Sequence, residues 1–211
     1  MLYSFLRVGF WIVTHLICRY RVSGLRNVPA TGPLLIVANH LSWYDPILIG
    51  VVLPRRVWFF TKAEIFRWPI AGAACRATGQ IPVHRGASDR AALEKALEYL
   101  REGKALAVFP EGTVARAEQM IAAHTGVAML ALRTGATVLP IAHTGTRRIL
   151  RSLRASWFPR VNIQIGTPFV PTIPEGVPRK AELKAVTQQI MERIAEMLPP
   201  ESRGVYKSLS S

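Results

Sequence analysis

A histidine and an aspartate five residues apart are the first residues in this sequence that could perform acid–base chemistry. His40 and Asp45 lie in the block Asn39–Asp45, which follows the apolar run Leu34–Ala38. A carboxylate bonded to one imidazole nitrogen fixes the tautomer of the ring, and the other nitrogen can then take a proton from a hydroxyl. If a helix begins at Trp43–Asp45, the chain turns back and the carboxylate reaches the imidazole. The alternative is a structural pair in which Asp45 caps a helix.

Two further blocks follow apolar runs and add groups that could hold an anion. The block Phe109–Thr113, FPEGT, carries Gly112, which allows a ligand to approach backbone N–H groups closely. The block Ile81–Gly86, IPVHRG, carries Arg85, and arginine favours bidentate contacts with phosphate. Because ligands bind at the carboxyl ends of parallel strands, the three blocks together predict a base beside a phosphate site. An ordinary tight turn is the alternative at Phe109–Thr113.

The elements that would position these blocks alternate between short apolar runs and helical patterns. This alternation predicts a single α/β layered domain, with a largely parallel buried sheet flanked by helices. The sequence has no GxGxxG, GxxxxGK[ST] or GxSxG motif, so dinucleotide-binding, P-loop and nucleophile-elbow enzymes lack their usual signature. The predicted strands are 19–22, 34–38, 56–61, 80–84, 105–109, 137–141 and 161–165, and the predicted helices are 2–18, 46–53, 68–77, 88–102, 126–133 and 180–198.

Residues 2–18 form an apolar segment with a narrow polar stripe, and Arg19 and Arg21 follow at once. The segment is shorter than the roughly 20 residues that a membrane-spanning helix needs. We therefore expect an amphipathic helix that lies in the membrane interface with its bases near the headgroups. Packing on the protein's own core and a single membrane span are the alternatives. The polar members of the stripe are Ser4, Arg7, Thr14, His15 and Cys18.

The sequence carries a formal charge of +14, from 27 Lys and Arg residues against 13 Asp and Glu residues. A basic protein of this kind meets a polyanion, which is either an anionic membrane surface or a nucleic acid. Arg147, Arg148, Arg151 and Arg154 have the spacing of a basic helical face, for which a solvated surface is the alternative. The sequence lacks a nucleic-acid-binding signature, so we expect a membrane partner and no nucleic acid. Two cysteines and scattered histidines predict no metal site.

Five motifs occur in the order in which one family of lipid enzymes carries them. From about residue 24 to residue 168, the sequence resembles the 1-acylglycerol-3-phosphate O-acyltransferases, also called lysophosphatidate acyltransferases. Several motifs in the right order are far more specific than the histidine–aspartate block alone. The matching motifs are Asn39-His40-x4-Asp45, Lys62-Ala63-Glu64, Gly79–Val83 followed by x-Arg85-Gly86 (GQIPVxRG), Phe109–Thr113 (FPEGT) and Val138–Ile141 (VLPI).

The resemblance implies transfer of a fatty acyl group from a thioester, on coenzyme A or acyl carrier protein, to the free hydroxyl of lysophosphatidate, giving phosphatidic acid. It implies no metal, no cofactor beyond the thioester co-substrate, and an enzyme at the cytoplasmic face of the cell membrane. Residues 1–20 would be the membrane-associating helix, 21–200 the acyltransferase domain and 201–211 a polar C-terminal tail. His40 would be the general base and Asp45 would orient it. The implied acceptor-side residues are Asn39, Lys62, Arg85, Glu111, Gly112 and Thr113.

Four positions depart from the pattern of the family. Val114 and Ala115 stand where the family commonly has Arg-Ser, and His124 stands where relatives often have Lys. His84 occupies a position where an acid is common. The changes at 114 and 124 remove positive charge from the acceptor side, so another lysophospholipid or membrane alcohol is an alternative acceptor. A non-catalytic basic module that binds membrane or nucleic acid is the second alternative.

Overall fold

One twisted sheet organises the part of the chain that the computed structural model describes, which is residues 2–84, 89–149, 158–173, 175–176, 178 and 181–209. Its strands are β1 (Arg19–Ser23), β2 (Leu34–Ala38), β3 (Val57–Lys62), β4 (Ile81–Val83), β5 (Ala105–Val108), β6 (Thr137–Thr144) and β7 (Arg160–Ile165). The strand order is β1-β7-β6-β2-β5-β3-β4. Paired neighbours are parallel except β6 and β7, which are antiparallel.

Helices cover both faces of this sheet, which confirms the predicted α/β class. They separate into two layers because the side chains of a strand alternate between its faces. The helices are α1 (Leu2–Ile17), α2 (Asp45–Val52), α3 (Pro69–Ala77), α4 (Arg90–Arg101), α5 (Gly126–Thr134) and α6 (Glu182–Glu196). Leu35 and Val37 of β2 pack with α4, α5 and α6, whereas Leu34 and Ile36 pack with α2.

The central strand β2 positions the histidine–aspartate block. It lies between β5 and β6 and is parallel to both. All five of its residues are buried, which explains the uninterrupted apolar run in the sequence. Since parallel strands end at the same edge of a sheet, the segments that follow β2 and β5 emerge side by side. These segments are 39–45 and 109–115, the two blocks that sequence analysis singled out.

The observed elements begin and end close to their predicted bounds, with a few informative differences. Strand β6 continues to Thr144, three residues beyond the predicted end, and pairs there with β7. At the start of α4, the Asp89 carboxylate accepts a hydrogen bond from the N–H of Ala92 (3.0 Å), so Asp89 is the cap. Arg151 and Arg154 of the predicted basic face lie outside the described residues.

Helix α1 turns Thr14 and Arg7 toward the protein and leaves much of its apolar side exposed, together with Ser4 and His15. Thr14 is buried, and its hydroxyl lies 2.6 Å from the hydroxyl of Tyr44. Arg7 donates from Nε to the carbonyl oxygen of Val51 in α2 (3.3 Å). This reverses the usual arrangement, in which a surface helix buries its apolar stripe. Its exposed apolar side chains are Phe5, Val8, Phe10, Trp11, Ile12, Val13 and Leu16.

In the described part of the chain, every helix is too short or too polar to cross a bilayer. At the other end, part of the segment predicted as a polar tail packs on the domain. Tyr206 is buried, and its hydroxyl accepts a hydrogen bond from the N–H of Ala123 (3.2 Å). The N–H of Met120 donates to the carbonyl of Ser202 (3.0 Å), which ties the same segment to the loop after β5.

Candidate active site

The imidazole of His40 and the carboxylate of Asp45 are in contact. His40 Nδ1 lies 2.9 Å from Asp45 Oδ2. The chain turns back between them because α2 begins at Asp45. The His40 side chain is 14% exposed, and its ring stacks on Phe109 with the centroids 4.2 Å apart. An ionised carboxylate can only accept hydrogen bonds, so Nδ1 carries the hydrogen and Nε2 is the basic nitrogen.

Backbone groups hold the Asp45 carboxylate in addition to His40. Its Oδ2 accepts from the N–H groups of Leu41 (2.7 Å) and Ser42 (2.8 Å). Burial alone would raise the pKa of Asp45, but the imidazoles of His143 and His40, with a neighbouring hydroxyl, outweigh burial and hold that pKa below its usual value. Asp45 is therefore ionised at neutral pH, the form that steadies an imidazolium.

A second histidine lies behind this carboxylate, and sequence analysis missed its position. His143 is buried in β6, with Nε2 3.7 Å from Asp45 Oδ2. The Asn39 side chain donates from Nδ2 to the His143 carbonyl (2.9 Å) and accepts the His143 N–H at Oδ1 (3.0 Å). These two bonds join the end of β2 to β6 across 104 positions of sequence. A lone histidine inside an apolar strand gives no signal of such a contact.

The loop after β5 is tied directly to His40. Glu111 is buried, and its Oε1 accepts the backbone N–H of His40 (3.1 Å). In return, the N–H of Ala115 donates to the His40 carbonyl (2.8 Å). Both backbone groups of the candidate base are therefore held by the 109–115 loop. The Glu111 side chain acts as a structural brace for His40 in this arrangement.

Burial raises the pKa of the Glu111 carboxyl to about 7, and the nearby charge of Asp45 adds to the rise. The N–H groups of His40 and Ile121 lower it, but they do not compensate for burial. The other oxygen, Oε2, has no hydrogen-bond partner among the described residues. A buried carboxyl of this kind holds its proton in the folded state over a pH range in which the unfolded chain has released it.

We expect Glu111→Gln to remove part of the pH dependence of stability. Because the folded pKa of Glu111 exceeds its unfolded value, the carboxyl stabilises the fold at acid pH, and that contribution falls as pH rises through the window from about 4.5 to 7. Glutamine keeps the acceptor for His40 but cannot ionise. The free energy of unfolding of the variant, relative to wild type, should rise by about 2.5 kcal/mol between about pH 5 and pH 8.

Urea unfolding at the two pH values measures this difference. The matched control is Glu94→Gln, since Glu94 is an exposed acid paired with Arg90. Equal pH dependence in wild type and in both variants would show that Glu111 is not protonated by burial.

A glycine-dependent contact shapes the same loop. Gly112 has a φ of +66°, and a Cβ there would lie 2.9 Å from Cδ2 of His124. The N–H of His124 donates to the carbonyl of Pro110 (2.9 Å), so His124 closes the loop. Glycine is required both by the positive φ and by the imidazole that packs against it.

A cavity of about 590 Å³ opens in front of His40. Lys62 lines it, with its Nζ 5.1 Å from the ring centroid of Trp43. The wall is otherwise largely apolar, which suits an acyl chain beside a polar reacting group. The lining residues that bear on chemistry are His40, Lys62, Phe109, Gly112, Thr113 and Val114.

The structure thus separates the sequence-predicted site residues into two groups and leaves one aside. His40, Lys62, Gly112 and Thr113 line the cavity. Asp45, Asn39 and Glu111 are buried behind it and bond to His40 or to the backbone. Arg85 lies outside the described residues. The described His, Cys, Asp and Glu side chains form no group of three that could hold a metal ion.

A model of the Acyltransferase family matches residues 19–144. The chain is 38% identical over 111 residues to a lyso-ornithine lipid O-acyltransferase of Pseudomonas aeruginosa. The matching segment covers 52% of this chain and 42% of that protein. The chain therefore spans less than half the length of that relative. It is 24% identical over 197 residues to a 1-acyl-sn-glycerol-3-phosphate acyltransferase of Bacillus subtilis, covering 93% of this chain and 96% of that one.

The fold is shared with a solved structure. The crystal structure of the 1-acyl-sn-glycerophosphate acyltransferase of Thermotoga maritima superposes with a TM-score of 0.69 at 24% identity, over 92% of this chain and 80% of that one. The family match spans the histidine–aspartate block, the 109–115 loop and β6. The chain therefore belongs to the Acyltransferase family, the family of the 1-acyl-sn-glycerol-3-phosphate acyltransferases.

Proposed function

We propose that this protein transfers a fatty acyl group from a thioester of coenzyme A or acyl carrier protein to the free hydroxyl of a lysophospholipid in phospholipid synthesis. The first acceptor we propose is 1-acylglycerol-3-phosphate, which gives phosphatidic acid. The observation that carries the proposal is the His40–Asp45 contact of 2.9 Å at the wall of a largely apolar cavity. The sequences and names of the relatives support the reaction class.

The geometry accounts for a direct transfer. Nε2 of His40 takes the proton of the acceptor hydroxyl as the hydroxyl oxygen attacks the thioester carbonyl. The tetrahedral intermediate then expels the thiolate, which takes the proton back from His40 as the new ester forms. Asp45 holds the tautomer and stabilises the imidazolium in between. A thioester is already reactive, so an aligned hydroxyl, a base and a water-poor cavity supply most of what is needed.

The remaining predicted residues divide between acceptor contact and support. Lys62, Gly112 and Thr113 line the cavity and would contact the acceptor headgroup, with Arg85 as a further phosphate ligand. Asn39 and Glu111 would act on the acceptor indirectly, because their polar atoms hold the backbone around His40 and β6. The mechanism does not require Asn39 or Glu111 to bind a cofactor.

Helix α1 would seat the enzyme on the cytoplasmic face of an anionic membrane. Most of its outward side chains are apolar, while Arg7 and Thr14 contact α2 and the residue before it. Arg19 and Arg21 follow the helix and are exposed, at the level where lipid headgroups would lie. A lipid acceptor would then be drawn from the same surface on which the enzyme rests.

A second acceptor class is favoured by one residue and one relative. Val114 lines the cavity where the family commonly places an arginine, so the pocket has one fewer phosphate partner. A relative with 38% identity is named for a lyso-ornithine lipid rather than a lysophosphatidate. The same chemistry on another lysolipid, including one whose headgroup is not a phosphate monoester, is therefore the alternative proposal.

A panel of acceptors tests both proposals in one assay. Purified protein in detergent would receive long-chain acyl-coenzyme A or acyl carrier protein, with lysophosphatidate, other lysophospholipids or lyso-ornithine lipid. Product from lysophosphatidate supports the first proposal, and product from another acceptor alone supports the second. Absence of product from every acceptor would favour a non-catalytic basic module.

We expect Val114→Arg to shift the acceptor preference toward lysophosphatidate by about ten-fold in kcat/KM, because a charge-assisted hydrogen bond to phosphate would be restored. Val114→Met is the matched control, since it lengthens the side chain without adding charge. The comparison is kcat/KM for lysophosphatidate divided by kcat/KM for lyso-ornithine lipid. If both variants give the wild-type ratio, residue 114 does not contact the headgroup.

A further inference from the structure

Apolar side chains stand exposed at the mouth of the cavity, on a different element from α1. Trp43 lines the cavity and is 61% exposed. Trp68 is 55% exposed and Ile70 is 88% exposed, at the start of α3. We call Trp43, Trp68 and Ile70 the mouth patch. Large apolar groups exposed on and next to the wall of a cavity mark an interaction surface.

The mouth patch is mounted rigidly on the cavity wall. Ile65 lines the cavity and accepts the N–H of Trp68 at its carbonyl (3.1 Å). Gly72 of α3 packs so closely that a Cβ there would lie 2.3 Å from the carbonyl oxygen of Phe66. Arg76 donates from Nη1 to the same oxygen. Helix α3 therefore cannot move away from the segment Ala63–Arg67 without breaking these contacts.

The same face of the sheet carries the mouth patch and α1. Helix α2 connects β2 to β3, and α3 connects β3 to the parallel neighbour β4, in the same direction across the sheet. Right-handed crossovers in one direction place their helices on one face. Because α1 contacts α2 through Thr14 and Arg7, all three helices share that face. A partner on that side of the sheet is therefore within reach of both the exposed apolar side of α1 and the mouth patch.

The charged side chains around the mouth patch indicate what kind of partner it binds. Arg67 and Arg76 are exposed beside Trp68, with Glu64 as the neighbouring acid. Lys62 lies over the ring of Trp43. Tryptophan rings beside basic side chains are typical of the interface between water and lipid headgroups. An anionic lipid surface would contact both the apolar side chains of the mouth patch and the basic side chains beside it.

We propose that the mouth patch inserts into an anionic bilayer as a second contact, separate from α1, and places the cavity mouth at the headgroup level. The inference rests on the proposed function only in taking the acceptor to be a lipid. With two separate contacts, the orientation of the enzyme on the bilayer is fixed and the acceptor enters the cavity from the membrane directly. A single helical contact would leave rotation about α1 free.

Binding to vesicles of phosphatidylcholine and phosphatidylglycerol tests the proposal. The variants are Ile70→Ser alone and Trp68→Ser with Ile70→Ser. Val205→Ser is the matched control, because Val205 is 63% exposed and lies at the C-terminal segment that packs on Met120. We expect sedimentation with vesicles to show an affinity loss of about ten- to a hundred-fold for the double variant and little change for the control.

Activity separates docking from chemistry. Acyl transfer to a vesicle-borne acceptor should fall with vesicle affinity, while transfer to the same acceptor dispersed in detergent should keep its wild-type rate. A second measurement uses brominated lipids, which quench nearby tryptophans. Trp68→Phe should lose part of the quenchable fluorescence, because we place Trp68 in the interface.

Several outcomes would overturn the proposal. One is equal vesicle affinity of Ile70→Ser and Val205→Ser. Another is a dimer that wild type forms and the double variant does not, which would assign the mouth patch to another copy of the chain. The last is a double variant that is slower only with acyl carrier protein as the donor, which would assign the mouth patch to the carrier protein. If no acceptor is acylated and the double variant still loses vesicle affinity, the proposed function fails and the docking surface stands.

Discussion

Replacement of His40 by alanine is expected to lower kcat for acyl transfer by about a hundred- to ten-thousand-fold, the usual range for loss of a general base. His40 is the histidine that lines the cavity, and its Nε2 is the nitrogen left free by Asp45. Backbone bonds to Glu111 and Ala115 do not depend on the imidazole, so the variant should keep its fold. Initial rates of thiol release and of ester formation with a saturating acceptor measure the effect.

The chain supplies a matched control for this experiment. His84 and Asp89 repeat the spacing of His40 and Asp45, and His84 Nδ1 lies 3.2 Å from Asp89 Oδ2. The His84 side chain is 75% exposed, whereas the His40 side chain is 14% exposed. His84→Ala should change kcat by a few-fold at most. A His40→Ala variant that binds vesicles normally and retains the wild-type kcat would remove His40 from the mechanism.

Asp45→Asn is expected to lower kcat by about a thousand- to ten-thousand-fold, as loss of an orienting carboxylate does in comparable dyads. The Asn amide can present its NH2 group to His40 Nδ1, which would leave the proton on Nε2 and abolish its basicity. Stability should also fall, by about 1–3 kcal/mol, because Oδ2 accepts bonds from Leu41 and Ser42 as well. Steady-state kinetics and urea unfolding report the two effects separately.

The pH dependence gives the Asp45 prediction a second readout. The folded pKa of Asp45 lies below its unfolded value, so its contribution to stability is present at neutral pH and is lost as pH falls through the folded pKa. Asp45→Asn should lack that acid-side loss. Asp89→Asn is the control for kcat, because it weakens the cap of α4 without touching His40. Wild-type kcat in Asp45→Asn would contradict the orienting role.

The sheet and the central contact could be predicted from local sequence patterns. The continuous apolar runs of β2 and β5 are typical of strands covered on both faces, and both lie at the centre of the sheet. The contact between His40 and Asp45 follows from their spacing and from the start of α2. Spacing alone does not single out this pair, since His84 and Asp89 have the same spacing at an exposed site. The order of the other motifs along the chain is what distinguishes His40 and Asp45 from His84 and Asp89.

The supporting contacts could not be predicted, because they join segments that are distant in sequence. Asn39 bonds to His143 across 104 positions, and Glu111 bonds to the His40 backbone across 71. Hydrophobic periodicity reports which face of an element is buried, but not which strands become neighbours. For the same reason the bond between the Glu111 carboxylate and the His40 N–H could not be predicted from the sequence, and the acceptor-side role that the resemblance implies for Glu111 stays a prediction.

The most direct test of the account is thiol release from a long-chain acyl thioester, measured with and without a lysolipid acceptor. Thiol should appear only when an acceptor is present, in equal amount to the new ester, and His40→Ala should slow the formation of both by the same hundred- to ten-thousand-fold. Thiol release at the same rate without acceptor would make the protein a thioester hydrolase. No release with any acceptor would contradict the proposed acyl transfer altogether.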